Sequence, residues 1–182
     1  MSAAELLSEV VRALDAAGIP HMLVGSFAST SYGAPRATQD IDIVIDPTPD
    51  ALERFVTAFS SDRIYVSPTA QEALGGRDQF NLIDFTTGWK VDLMIRKDRP
   101  FSRSEFARRV RARALDVDLY VATAEDTVLA KLEWAAIGGS DRQLADAATV
   151  LAVSADTLDY DYLDRWAAEL GVSELLARAK ER

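Results

Sequence analysis

With 182 residues, 48% of them apolar and 27% charged, the chain can bury one full core, and a disordered or fibrous polymer is excluded. It contains no cysteine and a single histidine, His21; disulfides, thiolate zinc sites and cysteine nucleophiles are ruled out, and carboxylates are left as the plentiful metal ligands and proton acceptors. The net charge of −9 argues against a surface coated for indiscriminate nucleic-acid binding, and no window approaches the roughly 18 uninterrupted apolar residues of a membrane helix. Met1 to Glu9 has neither a basic segment nor a signal-like apolar run, so a cytoplasmic protein with no membrane partner is expected.

Leu6, Leu7, Val10, Val11 and Leu14 recur at helical spacing, which predicts an amphipathic helix over Ala3 to Ala16, stopped by Gly18 and Pro20. His21 to Gly25 reads as a short buried strand that turns sharply into a helix at Phe27 to Tyr32, itself closed by Gly33 and Pro35. Asp40 to Asp46 is a β-branched strand in which Asp40 and Asp42 share one face and the isoleucines the other. A helix follows over Asp50 to Phe59, then a short edge strand at Ile64 to Val66, then a helical stretch at Gln71 to Leu74 broken by Gly75-Gly76. Phe80 to Phe85 and Trp89 to Ile95 form a hairpin through Thr86-Thr87-Gly88.

A basic island follows, from Arg96 to Arg113, read as a helix starting near Arg103; Val117 to Val121 is one more strand. Helices are expected near Glu125 to Ile137, Arg142 to Ala152, Tyr160 to Leu170 and Ser173 to Lys180. The pattern is an α+β, mixed α/β half with a small sheet, residues 1–122, and a helical region, residues 123–182, packed on it. Trp89, Trp134 and Trp166 read as core or hairpin anchors, and His21 as structural.

The chemistry concentrates where Gly25-Ser26 is followed, thirteen residues later, by Asp40-Ile41-Asp42. Two acids two apart on a strand project from one face with Cα atoms about 7 Å apart, close enough to serve a shared site of divalent ions. Asp92, an acid between Val91 and Leu93 in a later strand, is costly there unless paired or metal-bound, and is the candidate third ligand. Gly25-Ser26, at a strand-to-helix turn, can offer backbone N–H groups and a hydroxyl to phosphates; the plainer reading is a tight turn and a helix cap.

Together these residues resemble the signature of the polymerase beta-type nucleotidyltransferases: apolar-Gly-Ser, a spacer of this length, acid-apolar-acid, and a later strand acid. The segment Arg36-Ala37-Thr38-Gln39 before the acid pair is similar to that of small bacterial nucleotidyltransferases of abortive-infection and toxin-antitoxin operons. The likeness spans roughly residues 20 to 150. It implies a nucleotidyltransferase fold, and catalytic Asp40, Asp42 and Asp92 holding two Mg2+ ions, with Mn2+ as a substitute. It also implies a nucleoside triphosphate bound through Gly25, Ser26, Arg36, Thr38 and Lys131, the last from Thr123 to Leu132.

The acceptor hydroxyl is expected on RNA, such as tRNA, or on protein, reached through the segment Arg96 to Arg113, with an antitoxin as a further partner. A small-molecule acceptor of the aminoglycoside type, or an inactive nucleotide- or partner-binding module of the same fold, are the alternatives. Phosphatases and glycosyltransferases with acid pairs place an apolar run before the acids; here Arg36 to Gln39 precedes them and the apolar run follows.

Overall fold

The computed structural model describes residues 2–32, 38, 40–59 and 63–182. The helix α1 (Ala3–Ala17) starts at a Ser2/Glu5 capping box and ends at Gly18 in the left-handed region, with Leu6, Leu7, Val10 and Leu14 fully buried. Next come β1 (His21–Val24), α2 (Gly25–Ser31), β2 (Asp40–Ile45), α3 (Pro49–Ala58), β3 (Ile64–Val66), α4 (Ala70–Gly76), β4 (Gln79–Asp84) and β5 (Lys90–Ile95). The chain continues through α5 (Pro100–Arg108), β6 (Val110–Ala114), β7 (Val117–Val121), α6 (Ala124–Gly138), α7 (Asp141–Ser154), α8 (Tyr160–Glu169) and α9 (Ser173–Lys180).

The strands form one mixed sheet in the order β3-β4-β5-β2-β1-β7-β6, with β2–β5 and β1–β7 parallel and the other pairs antiparallel. One sheet face carries Leu23, Ile41, Ile43, Leu82, Val91, Leu93 and Val121 into a core shared with α1, α3 and α4. The opposite face holds the smaller cluster of Met22, Ala122 and Phe106, contributed by β1, the end of β7 and α5. A separate core joins Phe101 to residues of α6, α7, α8 and α9.

Three local expectations are corrected. Gly75 and Gly76 do not break the helix; they are its last turn, and Arg77, left-handed at φ 50°, ends it. The second half of the basic island is the strand β6, whose alternation Val110, Ala112, Ala114 is masked in sequence by arginines at 111 and 113. Trp166 is buried, but Trp134 is 54% exposed and anchors nothing.

The helix α6 is buried on most sides although it carries Glu125, Asp126, Thr127 and Lys131 among its buried residues. Such charges persist only when satisfied. Asp126 accepts hydrogen bonds from Tyr162 Oη (2.6 Å), Thr123 Oγ1 (2.7 Å) and Arg108 Nε (3.3 Å), while Glu125 accepts from Arg108 and from the Asp159 backbone N–H. Arg108 also stacks on the Tyr162 ring, so one guanidinium ties α5 to both α6 and α8.

Glu105 lies half-buried beside this network, and burial, then Asp126, push its carboxyl up to about 8 from the ordinary 4.5. A folded-state value above the unfolded one means that ionising Glu105 costs stability. The cost is absent below about pH 4.5 and grows as pH rises through the window to about 8. Glu105→Gln is expected to raise Tm by a few degrees at pH 9 and to leave it unchanged at pH 4; equal shifts at both pH values would remove this assignment.

Candidate functional site

The acids come together because of strand register. In the parallel β2–β5 pair Asp42 stands opposite Asp92 and Asp40 opposite Lys90, so four charged side chains share the face away from the main core. Asp40 is exposed, whereas Asp42 and Asp92 are partly buried. Burial, then Asp92 and Asp40, raise the Asp42 carboxyl from the ordinary 3.8 to about 6, against the opposing pull of Lys90 and Lys131.

Lys90 was not singled out from the sequence. Its Nζ lies 2.9 Å from Asp92 and 3.5 Å from Asp40, where its ammonium supplies counter-charge to the acids. Its position two residues before Asp92, on the same face by strand alternation, is the signal that could have found it. Among the described residues no group of three or more acids or histidines converges closely enough to hold a metal ion as it stands.

Gly25 and the acids are mutually constrained. The antiparallel β1–β2 pair sets Val24 opposite Asp42, and the chain then turns at Gly25 with φ +67°. A Cβ at Gly25 would collide with the Asp42 carboxylate, with Asp42 Cγ only 2.8 Å away. The turn thus brings backbone directly against the acid, an approach open only to glycine.

Ser26, the second residue of α2, is buried, and its hydroxyl makes no side-chain hydrogen bond among the described residues. Val24, the residue capping α2, offers no side-chain acceptor, so the first amides of the helix have no side-chain cap.

The other expected contacts divide. Lys131 is 5% exposed, donates to Asp146 at 3.0 Å, and its charge is felt at Asp42. Asp146 holds the ammonium from α7, a partnership between helices that one-dimensional spacing did not specify. Thr38 is engaged locally, its hydroxyl accepting from the Asp40 N–H and donating to the Asp40 carbonyl, which fixes the entry to β2. Arg36 lies outside the described residues. His21, 5% exposed, bonds the Ile19 carbonyl through Nδ1, a structural role.

Most of the basic island is occupied internally. Arg96 pairs with Asp46, Arg99 with Glu133, Arg103 with Asp98, Arg108 with Glu125 and Asp126, and Arg113 with Asp116.

By sequence, no family model and no curated relative matches the chain. In three dimensions it is similar to the antibiotic-resistance factor ANT(2'')-Ia in solution, with a TM-score of 0.61 and 11% identity over 98% of this chain and 96% of that one. It is also similar to an antigenic nucleotidyltransferase-like protein from Paracoccidioides brasiliensis, with a TM-score of 0.60 and 17% identity over 97% and 91% of the two chains. ANT(2'')-Ia in complex with adenylyl-2''-tobramycin gives a TM-score of 0.56 at 12% identity over 92% and 95%. Among the described residues no helix is long and apolar enough to cross a membrane.

Proposed function

From a chain with the nucleotidyltransferase fold of the polymerase beta-like superfamily, we propose a metal-dependent enzyme that moves a nucleoside monophosphate from a triphosphate to an acceptor hydroxyl. The observation that carries the reading is the register of Asp42 against Asp92, with Asp40 on the same face and the left-handed Gly25 turn packed onto Asp42. Three acids of this kind crowd together only where a cation repays the repulsion, and Lys90 already takes a share of that role.

The donor set is all oxygen and suits Mg2+, or Mn2+, held by Asp40, Asp42 and Asp92. When bound, such ions neutralise charge on the transferring phosphate and orient the triphosphate. Ser26 and the open amides of α2 bind phosphate oxygens by hydrogen bonds. Lys131, held by Asp146, presents a fixed positive charge to the same phosphates. Asp92, on β5 beside β2, accepts the proton of the acceptor hydroxyl as that oxygen bonds to the α-phosphorus, and pyrophosphate leaves.

The acceptor class is RNA or protein, consistent with a toxin encoded beside an antitoxin. Incubation with α-labelled ATP, CTP, GTP and UTP, magnesium, and total RNA or lysate is expected to label a macromolecule in a magnesium-dependent way. One observation favours a second reading, a nucleotide-binding module without transfer: Lys90 occupies the acids and no metal cluster is closed among the described residues. Magnesium-independent nucleotide binding with label transferred to nothing would establish that module instead.

Lys131→Met is expected to raise the half-saturating triphosphate concentration about tenfold, the loss of one charge-assisted contact, with Tm changed by only a few degrees. A large fall in Tm with unchanged saturation in steady-state kinetics would reduce Lys131 to a packing residue.

A further inference from the structure

Of the cations in the basic island, Lys97, Arg109 and Arg111 have no ion pair with a carboxylate among the described residues, and the two arginines stand side by side at the outer edge of the sheet. Arg109 lies over both Phe106 (4.3 Å to the ring centre) and Tyr120 (4.9 Å) and donates to the Phe106 carbonyl. Arg111 is exposed and lies over the same Tyr120 ring at 5.4 Å. Two guanidinium groups thus share one phenol, with no anion between them among the described residues. Both guanidinium groups lie against aromatic carbon, and Arg111, being exposed, keeps N–H groups open to solvent. Arg113, the next in line, is taken up by Asp116, so the free cation ends at Arg111.

Register relates this pair to the acids. Leu23 pairs with both Ile43 and Val121 and belongs to the buried core face, so Val24, Asp42 and Tyr120 fall on the opposite face, and Arg111, paired with Tyr120, joins them. Three interstrand steps and a shift of two residues set Arg111 about 15 Å from Asp42. Both lie on one face, toward the end of the sheet where α2 begins.

We propose that Arg109 and Arg111, spread on Tyr120, form a docking site for backbone phosphates of a single-stranded RNA whose terminal hydroxyl is the acceptor. The inference rests on the transferase reading above and names its acceptor class. Guanidinium forks match phosphate oxygens bidentately, and a strand offers phosphates at the interval needed to engage this edge while its end reaches the acids. An overall charge of −9 is compatible with it, because the paired arginines are already neutralised and only a short register of the strand is held.

The test is fluorescence anisotropy of a labelled single-stranded oligoribonucleotide in EDTA, so that no transfer occurs, across a salt series. Arg111→Glu is expected to weaken binding at least tenfold and Arg111→Gln to lower the salt slope by about 0.7, the value of one phosphate contact on a single strand. Arg103→Gln, which removes an equal charge from an exposed pair elsewhere, is expected to stay within twofold of the unmodified protein.

Unchanged binding in Arg111→Glu, or an equal loss in Arg103→Gln, overturns the site. Displacement of the RNA by polyglutamate at equal charge concentration assigns the edge to an acidic protein and also overturns it. Calorimetric titration of magnesium–ATP into the same proteins separates the two claims. Intact nucleotide binding with lost RNA binding in Arg111→Glu supports the docking site, whereas a protein that binds RNA through Arg111 but no magnesium–ATP refutes the transferase reading alone.

Discussion

Asp42→Ala is expected to reduce nucleotide transfer at least about a thousandfold while the protein remains folded and becomes more, not less, stable. The loss follows from removing the central acid of the three, since a metal clamp on a transferring phosphate contributes several kcal/mol and each 1.36 kcal/mol is tenfold in rate. The gain in stability follows from the same geometry. Asp42 is partly buried opposite Asp92 and two residues from Asp40, and its proton is held up to about pH 6 because ionisation is disfavoured there.

The cost of ionisation grows from about pH 3.8 to about 6 and is full above that, and a neutral replacement relieves it. A rise in Tm of about 2–6 °C at pH 7.5 corresponds to roughly 1–2 kcal/mol in a chain of this size. Added magnesium is expected to raise the Tm of the unmodified protein and not of Asp42→Asn, because only a ligand that binds the folded state shifts the transition. Calorimetry with and without magnesium, beside a label-transfer assay, checks all three outcomes. Full transfer by Asp42→Ala would falsify the acid assignment.

The second large effect is expected at Gly25. Gly25→Ala places a methyl group against the Asp42 carboxylate and forces a non-glycine residue to φ +67°. The left-handed backbone costs about 1–2 kcal/mol and displacement of a packed carboxylate adds about 1–3 kcal/mol, together a fall in Tm of the order of 10 °C. Transfer is expected to fall with it, since Asp42 must rotate or β2 must move.

The effects at the two positions are coupled. Introducing Gly25→Ala into Asp42→Ala should cost about 1–3 kcal/mol less than introducing it into the unmodified chain, because most of the collision partner is gone. Additive costs in a double-mutant cycle, read by urea unfolding, would show that the close approach of residues 25 and 42 contributes nothing.

Much of this site was legible in one dimension. Alternation alone put Asp40 and Asp42 on one strand face and the isoleucines on the other, and burial follows that pattern. The glycine was legible as a strand-to-helix turn able to face phosphates, but not as one packed against Asp42. The nearly uniform apolar spacing of α1, the β-branched run of β2 and the apolar alternation of β5 made their types plain. Lys90 was legible only as a neighbour of Asp92 on one strand face; that it lies beside Asp40 was not, because that depends on the pairing with another strand.

The basic island shows the limit most clearly. As a string, Arg96 to Arg113 is mostly positive charge, yet most of its arginines find Asp46, Glu133, Asp98, Glu125, Asp126 and Asp116, drawn from one helix and from loops and turns. The strand β6 was hidden for a related reason, since its apolar positions carry only valine and two alanines and its long arginines mask the period.

Local pattern by itself determined most of the elements, β6 apart, which of their faces are apolar and which residue types carry the chemistry, because those depend on neighbours two to four positions away along the chain. Only the tertiary structure decided that Asp92 faces Asp42, that Lys131 leans on Asp146, and that Arg111 is left without an anion among the described residues. Those outcomes depend on strand order, parallel register and helix docking, which bring together groups fifty or more residues apart at Asp42 and Asp92 and are set by the packing of the whole core.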